Sequence, residues 1–156
     1  MPIDEYRFRQ TMGHFASGVT VVTARYEERL YGMTVSSFSS LSLNPPLVLI
    51  CIDNRALALP AFVGSGCFAV NILSKYQEHL SRRFATPAEN KFIGLAWSEG
   101  MLGIPLLDGA LAHVECRLTE TFPGGDHTIL VGEVVNALVH EGLPLLYYRG
   151  GYHELL

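Results

Sequence analysis

Apolar positions along the chain change period several times, and each change predicts an element. Phe8, Met12 and Phe15 recur at i, i+4 and i+7 with Arg7, Arg9 and Gln10 between them. That one-sided stripe predicts an amphipathic helix, which Gly18 is placed to end. Residues 19–25 (VTVVTAR) are rich in β-branched side chains and predict a strand. Glu27-Glu28-Arg29 reads as a polar turn, and residues 30–38 return as a second strand. Pro45-Pro46 cannot sit inside a central ladder, so they mark the entry into the next strand. That strand, 47–52 (LVLICI), is apolar at every position and is expected to be buried on both faces.

Residues 56–64 predict a short helix and 67–73 (CFAVNIL) another strand. Leu80 and Phe84, four apart, place an amphipathic helix over 75–85. Residues 86–108, with the only Trp (Trp97), read as a long structured loop. Three strands follow, 111–122, 128–139 and 145–149, with Gly124-Gly125-Asp126 as the turn between the first two. The sum is a mainly β chain of six or seven antiparallel strands covered by two or three helices, one domain over 1–156. A closed or nearly closed barrel buries such strands with least exposed edge.

Charge sharpens this picture. Only 17% of the 156 residues are charged, against about 25% for an ordinary soluble domain. Between residues 30 and 74 the only charged side chains are Asp53 and Arg55. A membrane span is not the explanation. A spanning helix needs about 20 mainly apolar residues, and this block is broken by six hydroxyls between Thr34 and Ser42, by Pro45, Pro46 and Pro60, and by Gly64 and Gly66. A net charge of −4 and a pI near 5.8 argue against a nucleic-acid partner. Cys51, Cys67 and Cys116 are an odd number without clustered spacing. With no signal-peptide pattern in the first residues, they predict a reduced, cytoplasmic chain.

The hydroxyl cluster Thr34-Val35-Ser36-Ser37-Phe38-Ser39-Ser40-Leu41-Ser42 has two readings. It is either a polar-faced strand entering a loop, or a surface offering short donors and acceptors to a flat polar ligand. Gly64-Ser65-Gly66-Cys67-Phe68-Ala69 matches G-x-G-x-x-A, but a helix precedes it and a strand follows, the reverse of a dinucleotide fingerprint. It predicts a helix-ending turn. Gly125-Asp126-His127 is either a plain turn or an imidazole placed to donate a hydrogen bond to a substrate. His113-x-Glu115-Cys116 splits across two faces of a strand, so no metal site is expected. Arg55, Arg82 and Arg83 are the candidate phosphate partners nearest the uncharged block.

In order along the chain stand Phe8-Arg9-x-x-Met12-Gly13-x-Phe15-Ala16-Ser17-Gly18-Val19-Thr20-Val21-Val22-Thr23, Gly32-Met33-Thr34-Val35-Ser36-Ser37-Phe38, Ser42-Leu43-Asn44-Pro45-Pro46-Leu47, Phe68-Ala69-Val70-Asn71, Arg83-Phe84-Ala85, Gly125-Asp126-His127 and Gly150-Gly151-Tyr152. Taken together, over residues 6 to 152, they resemble the flavin reductase-like domain family. The closest look is to the small reductase components of two-component aromatic monooxygenases.

The resemblance implies an FMN-binding split barrel, a Greek-key homodimer that oxidises NADH or NADPH and reduces FMN or FAD for a separate monooxygenase. Flavin-contacting positions would then be Met33, Thr34, Val35, Ser36, Ser37, Ser40 and Ser42, with Cys51, Ile52 and Asp53, and with Arg83, Phe84 and Ala85. His127 would lie by the nicotinamide beside Asp126, and Tyr152 near the site mouth. The hydride passes between the cofactors themselves, so the protein's part is to stack and hold them. Two positions depart from the family. Ser36 stands where many relatives have Asn, and Ala56 and Leu57 stand where relatives offer a hydroxyl to the phosphate, which leaves Arg55 as the substitute. Two alternatives are a flavin-binding carrier without turnover and, further off, an oxidase of pyridoxamine phosphate type.

Overall fold

In the computed structural model, which describes residues 2–156, the chain runs α1 (Glu5–Met12), β1 (Ser17–Gly18), β2 (Thr20–Tyr26), β3 (Arg29–Val35), β4 (Phe38–Ser42), β5 (Leu47–Asp53), α2 (Leu59–Ser65) and β6 (Cys67–Ile72). It continues with α3 (Glu78–Ala85), β7 (Trp97–Glu99), β8 (Pro105–Leu107), β9 (Ala112–Gly124), β10 (His127–Val139), β11 (Leu145–Tyr148) and β12 (Gly151–Glu154). Seven strands form one sheet in the order β3-β2-β6-β9-β10-β5-β4, and every pairing in it is antiparallel.

This strand order closes the barrel by arithmetic. β3 and β4 stand at opposite ends of the sheet, yet only Ser36 and Ser37 separate them in sequence. Laid flat, six intervals of about 4.8 Å would hold the ends about 29 Å apart, whereas so short a connection reaches only about 11 Å. The sheet must therefore curl until its edges meet. The Ser36-Ser37 corner is the seam.

The barrel interior is filled by Val22, Ala24, Val35, Val48, Ile50, Ile52, Phe68, Val70 and Leu130, plugged by Phe62 of α2. Burying each of the larger ones contributes about 1.5–3 kcal/mol. A second cluster, Val21, Leu73, Leu80, Phe84, Phe92 and Leu107, packs outside β2 beneath α3. β2 is consequently buried on both faces from Thr20 to Ala24.

Several expectations need correction. β5 alternates: Val48, Ile50 and Ile52 are buried while Leu47, Leu49 and Cys51 are half-exposed, so one face looks outward. The expected strand 30–38 is two strands broken at the seam. The loop 86–108 contains the β7–β8 hairpin, and the chain ends with an additional strand, β12. α1 stops at Met12 with Gly13 as its cap, earlier than Gly18, so Phe15 falls beyond the helix; Phe8, Met12 and Phe15 are all exposed and cover no core. The Gly64–Gly66 segment ends α2 as expected, with Gly66 at φ 70°. Among the described residues no helix is long and apolar enough to cross a membrane.

Candidate functional site

At the seam the β4–β5 ladder runs on past β4. Cys51 N donates to Ser37 O at 3.1 Å, and Ser37 Oγ donates to Cys51 O at 3.0 Å. Two residues further, Asp53 pairs across the ladder with His127, so both side chains share the outward face. Asn54 ties the β9–β10 turn to the end of β5. Its N–H donates to Asp126 O at 2.9 Å, and its side-chain oxygen accepts from Thr128 Oγ1 at 2.6 Å. These bonds bring Ser37, Cys51, Asp53, Asp126 and His127 to one corner of the barrel.

The corner is electrostatically ordered. Arg55 folds back on Asp53, with Nη2 to Oδ2 at 3.1 Å and Nε to Oδ1 at 3.3 Å, while its backbone N–H donates to Oδ1 at 2.8 Å. The guanidinium first, and that N–H second, hold the Asp53 carboxyl down at about 2. His127 Nδ1 lies 2.7 Å from Asp126 Oδ1. A carboxylate can only accept, so Nδ1 carries the proton and Nε2 is left for a ligand.

Beside the corner an open cleft of about 850 Å³ runs along β3, lined by Leu30–Thr34, Arg55–Ala58 and the 84–93 segment. Its size is that of a small-molecule site. Gly32 O accepts from Lys91 Nζ at 3.3 Å, so this carbonyl points away from β2. By the alternation of an antiparallel ladder, the N–H and C=O of Gly32 and Thr34 then face the cleft together. Gly32 is needed for closeness, because a Cβ there would stand 2.6 Å from a ring carbon of Phe84.

The anticipated site residues divide into groups. Met33, Thr34, Arg55, Phe84 and Ala85 line the cleft. Ser36, Ser37, Cys51, Asp53, Asp126 and His127 form the corner. Val35 and Ile52 are buried in the barrel core, so toward a ligand they offer backbone only. Ser40 and Ser42 lie further along β4, bonded in register to Val48 and Leu47. Tyr152 stands behind α3, its hydroxyl 2.7 Å from Ser81 Oγ, while Ser81 O accepts from Thr34 Oγ1 at 2.6 Å. It braces β3 from outside the cleft lining.

The three arginines are each engaged. Arg55 pairs with Asp53, Arg82 with Glu78, and Arg83 donates to the carbonyl of Ile93. The cation that sequence reading missed is Lys91, a lone lysine after Asn90, which takes φ 58°. His113 and Glu115 serve the scaffold. His113 Nε2 meets Leu107 O at 2.7 Å, and Glu115 accepts from the N–H groups of Met101 and Leu102 and from Asn136.

Known proteins share this architecture. The family model described as flavin reductase like domain matches residues 12–156. The reductase component of 4-hydroxyphenylacetate 3-monooxygenase from Thermus thermophilus is 46% identical over 151 residues, 96% of this chain and 95% of that protein. An FMN reductase (NADH) from Agrobacterium fabrum is 44% identical over 145 residues, 93% of this chain and 83% of the relative. Among solved structures, an NADH:FAD oxidoreductase of Streptomyces globisporus in complex with NAD and FAD fragments superposes with a TM-score of 0.93 at 38% identity, covering 98% of this chain and 93% of that one.

Proposed function

The chain belongs to the flavin reductase-like domain family, and on that premise we propose that it oxidises NADH, reduces FMN or FAD, and passes the reduced flavin to a separate monooxygenase component. One observation carries the reading: the backbone of Gly32 and Thr34, turned away from β2, borders a cleft of ligand size, and Arg55 on the cleft lining reaches back to Asp53 at the serine corner. Flavin accepts the hydride and NADH supplies it. The chain's own residues bind, orient and exclude water.

The donor set suits a flat ring with polar edges. Met33 gives an apolar wall, Thr34 and Gly32 give backbone donors and acceptors, and Ser36 and Ser37 give short hydroxyls that let a ring approach. Cys51 and Asp53 would border the same shelf. His127, with Nδ1 held by Asp126, would present Nε2 to the nicotinamide carboxamide. The names of the Agrobacterium and Streptomyces relatives support NADH as the reductant. The three unpaired thiols suit a reducing, cytoplasmic setting, and the exposed apolar stripe of α1 supports a homodimer.

Purified protein with FMN or FAD is expected to oxidise NADH, read as loss of absorbance at 340 nm; no flavin-dependent loss would overturn the assignment. His127→Ala is expected to lower kcat/KM for NADH roughly tenfold, the weight of one hydrogen bond of about 1–1.5 kcal/mol. Flavin binding by the same variant should stay within twofold of wild type. Equal loss for both ligands would place His127 outside the nicotinamide site.

A further inference from the structure

The cleft holds three cations in three different states. Arg55 is neutralised by Asp53, and its side chain is 88% exposed. Arg29 lies at the exposed rim where β3 begins, in water that screens its charge. Lys91 is half-buried, and burial pulls its pKa down. Its Nζ donates to Gly32 O at 3.3 Å and to Phe84 O at 3.2 Å. Both acceptors are neutral, and among the described residues no carboxylate stands within ion-pairing distance of Lys91. Nζ also stands 6.0 Å from the centre of the Phe84 ring, a weak cation–π contact. An ammonium has three N–H donors, so one donor remains free and the charge has no carboxylate partner.

Two elements hold that charge in place. Phe84 lies in the last turn of α3, where the helix dipole favours a cation, and Gly32 O comes from the strand edge that borders the cleft. The ammonium is therefore fixed before any ligand arrives, on the line from the Met33–Thr34 shelf along β3.

Resting on the reductase reading, we propose that Lys91 is the phosphate anchor of the cleft and makes the protein prefer phosphate-bearing flavins over riboflavin, with Arg55 not serving that purpose. A dianionic phosphate would take the free N–H and supply the ion-pair partner that the ammonium lacks. Arg55, in contrast, would have to leave Asp53 to do the same. A compact ammonium suits a single phosphate oxygen as a point charge.

Flavin binding without NADH, read by fluorescence quenching, tests this separately from turnover. Lys91→Gln keeps a donor for the two carbonyls and removes the charge. It is expected to weaken FMN binding roughly tenfold to a hundredfold, the weight of a charge-assisted hydrogen bond, and to leave riboflavin binding unchanged. Lys91→Arg should restore most of the FMN affinity, and Arg55→Gln should leave the FMN-to-riboflavin ratio as in wild type. In unmodified protein the same ratio should fall as NaCl rises. Equal weakening of FMN and riboflavin by Lys91→Gln would reduce Lys91 to a helix cap and overturn the proposal, as would selectivity that follows Arg55. Flavin binding with these ratios but no NADH oxidation would instead sink the reductase reading and leave the anchor standing.

Discussion

Asp53 shows how much one neighbour can do at a surface. Its carboxyl is held at about 2, against an ordinary 3.8, chiefly by the Arg55 side chain and then by the Arg55 N–H. A depressed folded-state value has a fixed sign: the pair's contribution is complete above 3.8 and is lost as pH falls through about 2. From about pH 5 to 8 this pair therefore adds almost no pH dependence to stability. A carboxyl-carbon titration by NMR should find a midpoint near 2 for Asp53, rising toward 3.8 in Arg55→Gln; a midpoint near 3.8 in the wild type would mean the ion pair does not persist in solution. Cysteine makes the opposite case. Burial, helped by Glu115 and Cys67, pushes the Cys116 thiol up to about 12, and the thiolate is the reactive form. Iodoacetamide at pH 8 should alkylate Cys51 and Cys67, which are partly exposed, and reach Cys116 only in denaturant. Three alkylations of the native protein by intact mass would show that the barrel opens at β9.

At the scale of elements, the turns hold the clearest test. Tyr26 pairs with Arg29, so the β2–β3 turn has two residues, Glu27 and Glu28, at φ 51° and 64°. Both central positions of such a hairpin require positive φ, which Asn-Gly accepts and a glutamate pays for. Glu27→Asn with Glu28→Gly is expected to stabilise the protein by about 1 kcal/mol, seen as a higher urea midpoint at unchanged slope. A lower midpoint would show that the two glutamates make contacts that outweigh their backbone strain. The same reasoning tells which elements sequence could reveal. β2, β5, β6, β9 and β10 were legible because each is a long β-branched or apolar run with its own turn signal. The break at Ser36-Ser37 was not, since serine fits a strand and a corner equally and the seam exists only once seven strands have closed. β7 and β8 are three residues each, too short to show a period. β12 follows a two-residue turn, Arg149-Gly150, at φ 50° and 78°, a hairpin signal that the glycine alone half-announced. Of the site, the serine corner and His127 were visible as local motifs. Lys91 was invisible because its surroundings come from β3, the end of α3 and a loop, with no shared pattern in sequence.

At the scale of the whole molecule, α1 presents a physical problem. Isolated helices shorter than about 12–15 residues are marginal in water, and α1 has eight residues with none buried. Local devices hold its ends: Asp4 caps the N-terminus by accepting from Arg7 N at 2.8 Å, and Arg149 N donates to Gly13 O at 2.9 Å. Neither covers the stripe of Phe8, Met12 and Phe15, which are 54%, 54% and 79% exposed. Leu43 and Phe122, on other parts of the surface, are exposed as well, and the outward face of β5 is only half-covered. An exposed apolar stripe of this kind on a helix that buries nothing marks an interaction face. If a second copy covers α1, light scattering should give a mass near twice 17.2 kDa. Phe8→Glu with Phe15→Glu, which disturbs no packed core within one subunit, should return the mass to 17.2 kDa while circular dichroism keeps its strand signal. A wild-type chain that runs as a monomer would refute the dimer, and a dimer that survives both substitutions would move the interface from α1 to the β4–β5 face.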